Sequence, residues 1–314
     1  MRTVIAGGSG FLGQALTRRF TADGHRVQIL TRQTVRPAAN DPASPVERIT
    51  WTPDGDIGPW AAPCRGADVI VNLAGASLAA GRWSLPRKAQ LTASRLHPTR
   101  SLATFIAQTD PKPALLLTSS AIGFYGDRGE DVVTEAAPVG TEFLAELCAG
   151  WENQAVRART FGTRVVPLRT GLVLDPAEGA LAKMILPFRL GVGGRFGSGC
   201  QYMSWIHRDD WVSLVRWAAE KPGLDGPLNL TAPNPVTNAE FARTLGRVLH
   251  RPAIVPAPAF ALRLLLGEMA DALLLSGQRV TPHRALALGF RFGYERLDAA
   301  LADLIGARRP SGAG

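Results

Sequence analysis

The stretch Thr3-Val4-Ile5-Ala6-Gly7-Gly8-Ser9-Gly10-Phe11-Leu12-Gly13 decides the fold of this chain. An apolar run breaks into three spaced glycines and then into helical periodicity, with Ala15, Leu16 and Phe20 on one face. A buried strand that turns sharply at Gly7, leaves room for a pyrophosphate at Gly10 and packs its helix closely at Gly13 has no space for a Cβ at those positions. The following helix offers unpaired N–H groups and the positive end of its dipole to an anion. Because the triplet follows a strand and opens a helix, it reads as a dinucleotide cradle, with Ser9, Phe11 and Leu12 supplying backbone contacts beside the glycines.

The second strand, from Arg26 to Leu30, ends in Thr31-Arg32, where an acid would bind a ribose 2′-hydroxyl. A guanidinium at that place pairs instead with a 2′-phosphate, so Arg32, with Thr31 as a supporting donor, points to NADP(H) as cofactor. The other reading of Arg32 is a solvated arginine at a strand end.

Composition fits a globular α/β protein. The chain has 314 residues, 46% of them hydrophobic, enough for one large core and a smaller lobe. No apolar run reaches the roughly 20 residues of a membrane span, and Met1-Arg2 leads straight into the first strand without a signal peptide. Three scattered cysteines, Cys64, Cys148 and Cys200, suggest neither disulfides nor metal ligation and fit a cytoplasmic location. The net charge of +9 raises nucleic-acid binding. Lysine, however, occurs only at positions 88, 112, 183 and 221, the arginines are dispersed, and no nucleic-acid-binding motif accompanies them. Steering of an anionic cofactor or substrate is the simpler use of that charge.

Strands and helices then alternate as a doubly wound parallel sheet requires. Ala67 to Leu73 is a buried strand that turns at Ala74-Gly75, so Asn72, Leu73, Ala74 and Gly75 fall on the cofactor side. A helix over 85–108 carries Arg95 among apolar positions. A further strand, Ala114 to Ser120, ends in Thr118-Ser119-Ser120 before Phe124-Tyr125-Gly126, which puts Ser119 near the cofactor. A strand from Thr163 to Leu168 delivers Arg169 to the same edge, as a contact for a cofactor phosphate, an anionic substrate or a neighbouring carboxylate.

These motifs, with Trp205-Ile206-His207-Arg208-Asp209-Asp210, resemble the extended short-chain dehydrogenase/reductases. More narrowly, Ala121 to Gly126, Phe143-Leu144-Ala145 with Trp151-Glu152, Leu186-Pro187-Phe188 with Gly193-Gly194, and Asn229 to Pro233 are similar to an epimerase-like branch. Its members carry the labels nucleoside-diphosphate-sugar epimerase or putative cell-division inhibitor, and end in a module of uncharacterised function. The resemblance implies a Rossmann-type fold with a smaller mixed C-terminal lobe. Residues 1–172 would form the cofactor domain, 205–232 would return to it, and 173–204 with 233–314 would form the lobe. A small-molecule substrate, of unknown identity, would lie between them.

The same resemblance exposes a departure. The superfamily's Tyr-x-x-x-Lys pair, in which the lysine lowers the pKa of a proton-transferring tyrosine, falls here on Leu144 and Cys148, and its usual serine falls on Ala121. Three readings stay open. One is a reductase or epimerase with relocated acid/base chemistry, for which Tyr125 and Ser120 are the nearest hydroxyls. Another is an NADPH-binding sensor or partner-binding protein without turnover. The last is unrelated chemistry on the same scaffold.

Downstream, Gly191 to Gly199 reads as a flexible loop over the cleft. His207 reads chiefly as packing, with an aspartate of its segment capping the next helix, and Asn238 reads as the N-cap of another helix. The apolar run Phe260 to Leu275 is interrupted by Arg263, Glu268 and Asp271. It reads as a helix packing on the core or meeting a second subunit in a homodimer. A last amphipathic helix spans Leu297 to Leu304, and the residues after Arg308 read as a disordered tail.

Overall fold

In the computed structural model, consecutive apolar residues of each central strand diverge to opposite faces of one sheet, as the period of two dictates. Ile5, Val71, Leu117 and Val166 pack on one face, and Val4, Ile70, Leu116 and Val165 on the other. Both faces being buried, the strands read as continuous apolar runs. The structure describes residues 1–35 and 43–306; the tail beyond Arg308 lies outside the described residues.

The strands are β1 (Arg2–Ala6), β2 (Arg26–Thr31), β3 (Val46–Thr50), β4 (Val69–Asn72), β5 (Leu115–Ala121), β6 (Val132–Val133), β7 (Arg164–Thr170), β8 (Leu172–Leu174), β9 (Tyr202–Met203), β10 (Trp205–His207), β11 (Leu228–Leu230), β12 (Val236–Thr237) and β13 (Arg279–Val280). The principal helices are α1 (Phe11–Ala22), α2 (Ala61–Cys64), α3 (Leu85–Gln108), α4 (Phe143–Val156), α5 (Gly179–Arg189), α6 (Arg208–Glu220), α7 (Asn238–Leu249) and α8 (Ala259–Leu266). After Gly267 the chain continues through short turns to α9 (His283–Ala287) and α10 (Leu297–Gly306).

A seven-stranded sheet runs in the order β11-β7-β5-β4-β1-β2-β3, every pair parallel. The order reverses at β1, whose neighbours are β2 and β4, and that crevice at the carboxyl edge is where a doubly wound sheet takes its ligand. Leu16 and Phe20 of α1 and Trp211 and Val215 of α6 cover one face, while Leu102, Phe105 and Ile106 of α3 cover the other.

A separate apolar core joins Leu181 and Ile185 of α5, Phe241 and Leu245 of α7, and Leu297, Leu301 and Leu304 of α10. The C-terminal segment is stitched back to the sheet domain: β13 pairs with β6, and Gly293 and Tyr294 donate backbone N–H groups to the Asp210 carboxylate at 2.8 and 2.9 Å. Among the described residues, no helix is long and apolar enough to cross a membrane.

Four local expectations change. The Asn238 amide caps no helix: its oxygen accepts from Phe196 N–H at 2.7 Å, and the hydroxyl of Thr237 caps α7 by accepting from Glu240 N–H at 3.2 Å. No aspartate caps α6 either; His207 does so, its Nδ1 accepting from Asp209 N–H at 3.1 Å, which leaves Asp210 for the C-terminal segment. Gly191 to Gly199 is pinned to the C-terminal segment rather than spread over the cleft, with Val255 N–H on the Gly193 carbonyl and Ala257 N–H on the Arg195 carbonyl. The run Phe260 to Leu275 is not one helix, because Gly267 (φ +63°) ends α8 and turns the chain.

Candidate functional site

The β1–α1 turn is built for a ligand that approaches its backbone. Gly7 has φ +79°, and a Cβ there would lie 2.8 Å from the Leu73 carbonyl of the neighbouring turn. A Cβ on Gly13 would lie 2.3 Å from the Gly7 carbonyl oxygen, so the helix seats on the turn only with glycine. Gly10 differs: its Cβ would meet only the Gly7 carbonyl oxygen at 3.3 Å, and its remaining surroundings are open. Gly10 is also the N-cap of α1 and brings no side chain to the helix end, which leaves the first-turn N–H groups, beginning with Phe11 and Leu12, pointing outward. Ser9 and Gly10 are exposed, and Phe11 and Leu12 half-buried, at the mouth.

Register gathers the other edge residues around this turn. Ala6 lies opposite Leu30 on β2 and Asn72 on β4, and Asn72 lies opposite Thr118 on β5. Thr31 and Arg32, Leu73 to Gly75, and Ser119 therefore lie towards the same edge of the sheet as Gly7. Arg32 is exposed and forms no ion pair among the described residues, whereas Thr31 is buried, its hydroxyl accepting from Gln33 N–H at 3.2 Å. Asn72 is wholly buried. Its amide donates to Thr99 at 2.8 Å and its oxygen accepts from Ala74 N–H at 3.2 Å, so it shapes the Leu73–Gly75 turn instead of facing the crevice.

Arg95 of α3 reaches under this turn. Its guanidinium donates to the Ala76 carbonyl at 3.0 Å and the Leu91 carbonyl at 3.1 Å, lies over the Trp151 ring, and forms no ion pair with a carboxylate among the described residues. Burial holds its pKa below the usual arginine range. A buried cation with only neutral partners is a standing attraction for an anion.

The hydroxyls expected to do acid/base work sit elsewhere. Tyr125 has no exposed surface; its hydroxyl donates to Asn229 Oδ1 at 2.6 Å and accepts from Arg169 Nη1 at 3.1 Å. Burial pushes its pKa up to about 12 against the pull of Arg169. Ser120 donates to Glu152 Oε1 at 2.6 Å. Arg169 grips the same carboxylate twice, Nε to Oε1 and Nη2 to Oε2, each at 2.9 Å, and lies 3.5 Å from the centre of the Phe124 ring. Burial opposes the charge on Arg169, but Glu152 outweighs it and raises the pKa. Tyr125, Ser120 and Arg169 thus form one buried network: of the three readings of Arg169 the neighbouring carboxylate is the one seen, and the hydroxyls of Tyr125 and Ser120, expected at the cleft, are engaged by Asn229, Arg169 and Glu152 instead. Glu152 and Asn229, which with Glu135 complete the network, stand in motifs the sequence shares with the epimerase-like branch, but those motifs do not announce either as a partner of Tyr125, Ser120 or Arg169.

Leu144 and Cys148 of α4 stand near the exit of β5, Leu144 Cβ lying 3.3 Å from where a Gly123 Cβ would be. Burial pushes the Cys148 thiol up to about 11, so it is a packed thiol and not a nucleophile. Around Leu144 gather Ala76, Leu78, Phe143 and, from the C-terminal segment, Leu266, Met269 and Leu273, an apolar closure of that end.

Comparison with known proteins agrees with this geometry. Residues 3–229 match the NAD dependent epimerase/dehydratase family, and residues 257–304 match a domain of unknown function, DUF1731. An epimerase family protein of Mycobacterium bovis is 43% identical over 298 residues, 95% of each chain, and the YfhF protein of Bacillus subtilis is 39% identical over 98% of this chain and 99% of its own. A crystal structure of the human epimerase family protein SDR39U1 with NADPH superposes with a TM-score of 0.86 at 33% identity, covering 97% of this chain and 99% of the other. The chain belongs to the NAD dependent epimerase/dehydratase family, with the DUF1731 module at its C-terminal end.

Proposed function

We propose that this chain binds NADP(H) in the β1–α1 cradle and acts on a small molecule at the end of the cleft closed by the C-terminal segment, as a reductase- or epimerase-type protein lacking the tyrosine acid. The observation that carries the reading is the cradle itself: a helix start without a capping side chain, at a turn where Gly7 and Gly13 admit no Cβ, beside an exposed Arg32 at the tip of β2. These residues fit the group. Gly10 N–H is taken by the Gly7 carbonyl at 3.0 Å, so the N–H groups at Phe11 and Leu12 would hold the pyrophosphate over the open Gly10, Arg32 the 2′-phosphate, the backbone of Leu73 to Gly75 the adenosine side, and Arg95 an anionic group of the cofactor or substrate. Ser9 and Ser119 border the same crevice. When bound, the cofactor supplies a hydride. NADPH in the human relative supports the choice of cofactor.

A second reading has one observation in its favour. Tyr125 is sealed at 0% exposure, and the β5 exit presents Leu144 and the packed thiol of Cys148 where the family's tyrosine and lysine would stand, which suits an NADPH-binding sensor. Incubation with NADPH and a panel of carbonyl compounds and nucleotide sugars separates the two. Product formation at the wild-type cleft supports the first; tight NADPH binding with no product across the panel supports the second.

A further inference from the structure

The chain's charge is unevenly placed. Residues 179–208 and 241–267 contain no aspartate or glutamate, although the whole sequence carries 26 acids. The fold lays these two stretches side by side: Val255 N–H donates to the Gly193 carbonyl, Ala257 N–H to the Arg195 carbonyl at 2.9 Å, and Arg251 Nε to the Arg189 carbonyl at 3.3 Å. Lys183, Arg189, Arg195, Arg243, Arg247 and Arg251 are all exposed on them.

Among those cations stand apolar side chains without cover. Helix α8 has no buried residue; Phe260 and Leu264, one turn apart on it, are 73% and 78% exposed. Ile254, six residues before Phe260, is 78% exposed, and Leu190, on the neighbouring stretch, is 69% exposed. Scattered exposed leucines need no explanation, but protruding aliphatic and aromatic groups on contiguous segments with a mostly cationic rim do; the acids that reach α8, Asp271 and Glu268, are each paired, with Arg263 at 2.9 Å and with Lys88 at 2.6 Å.

We propose that this face of the C-terminal lobe docks peripherally on an anionic phospholipid surface, Phe260, Leu264, Ile254 and Leu190 entering the headgroup boundary while the arginines engage lipid phosphates. The charge pattern argues against a second copy of the chain as the occupant, because a two-fold contact would set one arginine-rich rim against another, and Asp271, the acid beside α8, is already paired with Arg263. The absence of a spanning helix is a separate property; an interfacial helix needs only one apolar face and neighbouring cations.

Flotation of the full chain with phosphatidylcholine vesicles, with and without phosphatidylglycerol, tests this. The expected result is recovery with the anionic vesicles only, declining as salt rises. Arg189→Glu with Arg251→Glu should lower partitioning about tenfold or more, and Phe260→Ser with Leu264→Ser should lower it at low salt as well, while NADPH affinity stays at the wild-type value. Three outcomes would overturn the proposal: no recovery with either vesicle, equal recovery with both, or a concentration-dependent dimer that the Phe260→Ser, Leu264→Ser pair dissolves. The wild-type lipid and salt dependence decides the matter even if a variant folds poorly.

Discussion

Tyr125 carries a hydroxyl that is fully used before any substrate arrives, held between Asn229 and Arg169. Removing it leaves two buried groups short of a partner, which costs about 1–3 kcal/mol. Tyr125→Phe is therefore expected to lower the melting temperature by several degrees while leaving NADPH affinity at its wild-type value; thermal melts and titrations on one preparation check both. Arg95 predicts the opposite pattern. As a buried cation with only neutral partners, it is unfavourable to the fold until an anion arrives. Arg95→Met should keep or raise the melting temperature and weaken NADPH binding about tenfold, near 1.4 kcal/mol. A variant that loses stability and keeps affinity would remove Arg95 from the site.

At the scale of elements, the start of α6 depends on one neutral imidazole. His207 has no exposed surface and caps the helix through Nδ1, which accepts only when unprotonated. Burial holds its pKa below the usual range, against the pull of Asp209, Asp303 and Asp210. The unfolded chain takes that proton below about pH 6.5 and the folded chain resists it. The stabilisation is thus present above that pH and lost as pH falls towards the lowered folded value. Melting temperature is expected to drop on acidification, and His207→Asn, a neutral capping side chain, should flatten the decline. The elements also show what was legible in the sequence. The β1–α1 turn could be read because its demands are local, four glycines within seven residues, and α3 was bounded from its own periodicity at 85–108. The cap of α7 was not, since Thr237 and Asn238 are both good caps and the choice is made by Phe196, 42 residues away. Tyr125 was misread for the same reason: its partners Asn229 and Arg169 lie 104 and 44 residues along the chain, and nothing near it announces them.

For the molecule as a whole, the crevice proposed for the cofactor lies on the large sheet domain, and Leu266, Met269 and Leu273 of the C-terminal segment join one apolar cluster with Ala76, Leu78 and Leu144 beside it. Ligand binding to the folded form should therefore stabilise everything that melts with the sheet. At a concentration a hundredfold above Kd, NADPH is expected to add about 2.7 kcal/mol, seen as a melting temperature higher by several degrees. The measurement that tests the account most directly is calorimetric titration of the full chain with NADPH and with NADH, repeated on Arg32→Asp. The wild type is expected to bind NADPH more tightly than NADH, and the variant to lose at least about tenfold of that preference, the weight of one charge-assisted phosphate contact. Equal affinities for the two cofactors in the wild type, or no binding heat with either, would contradict it.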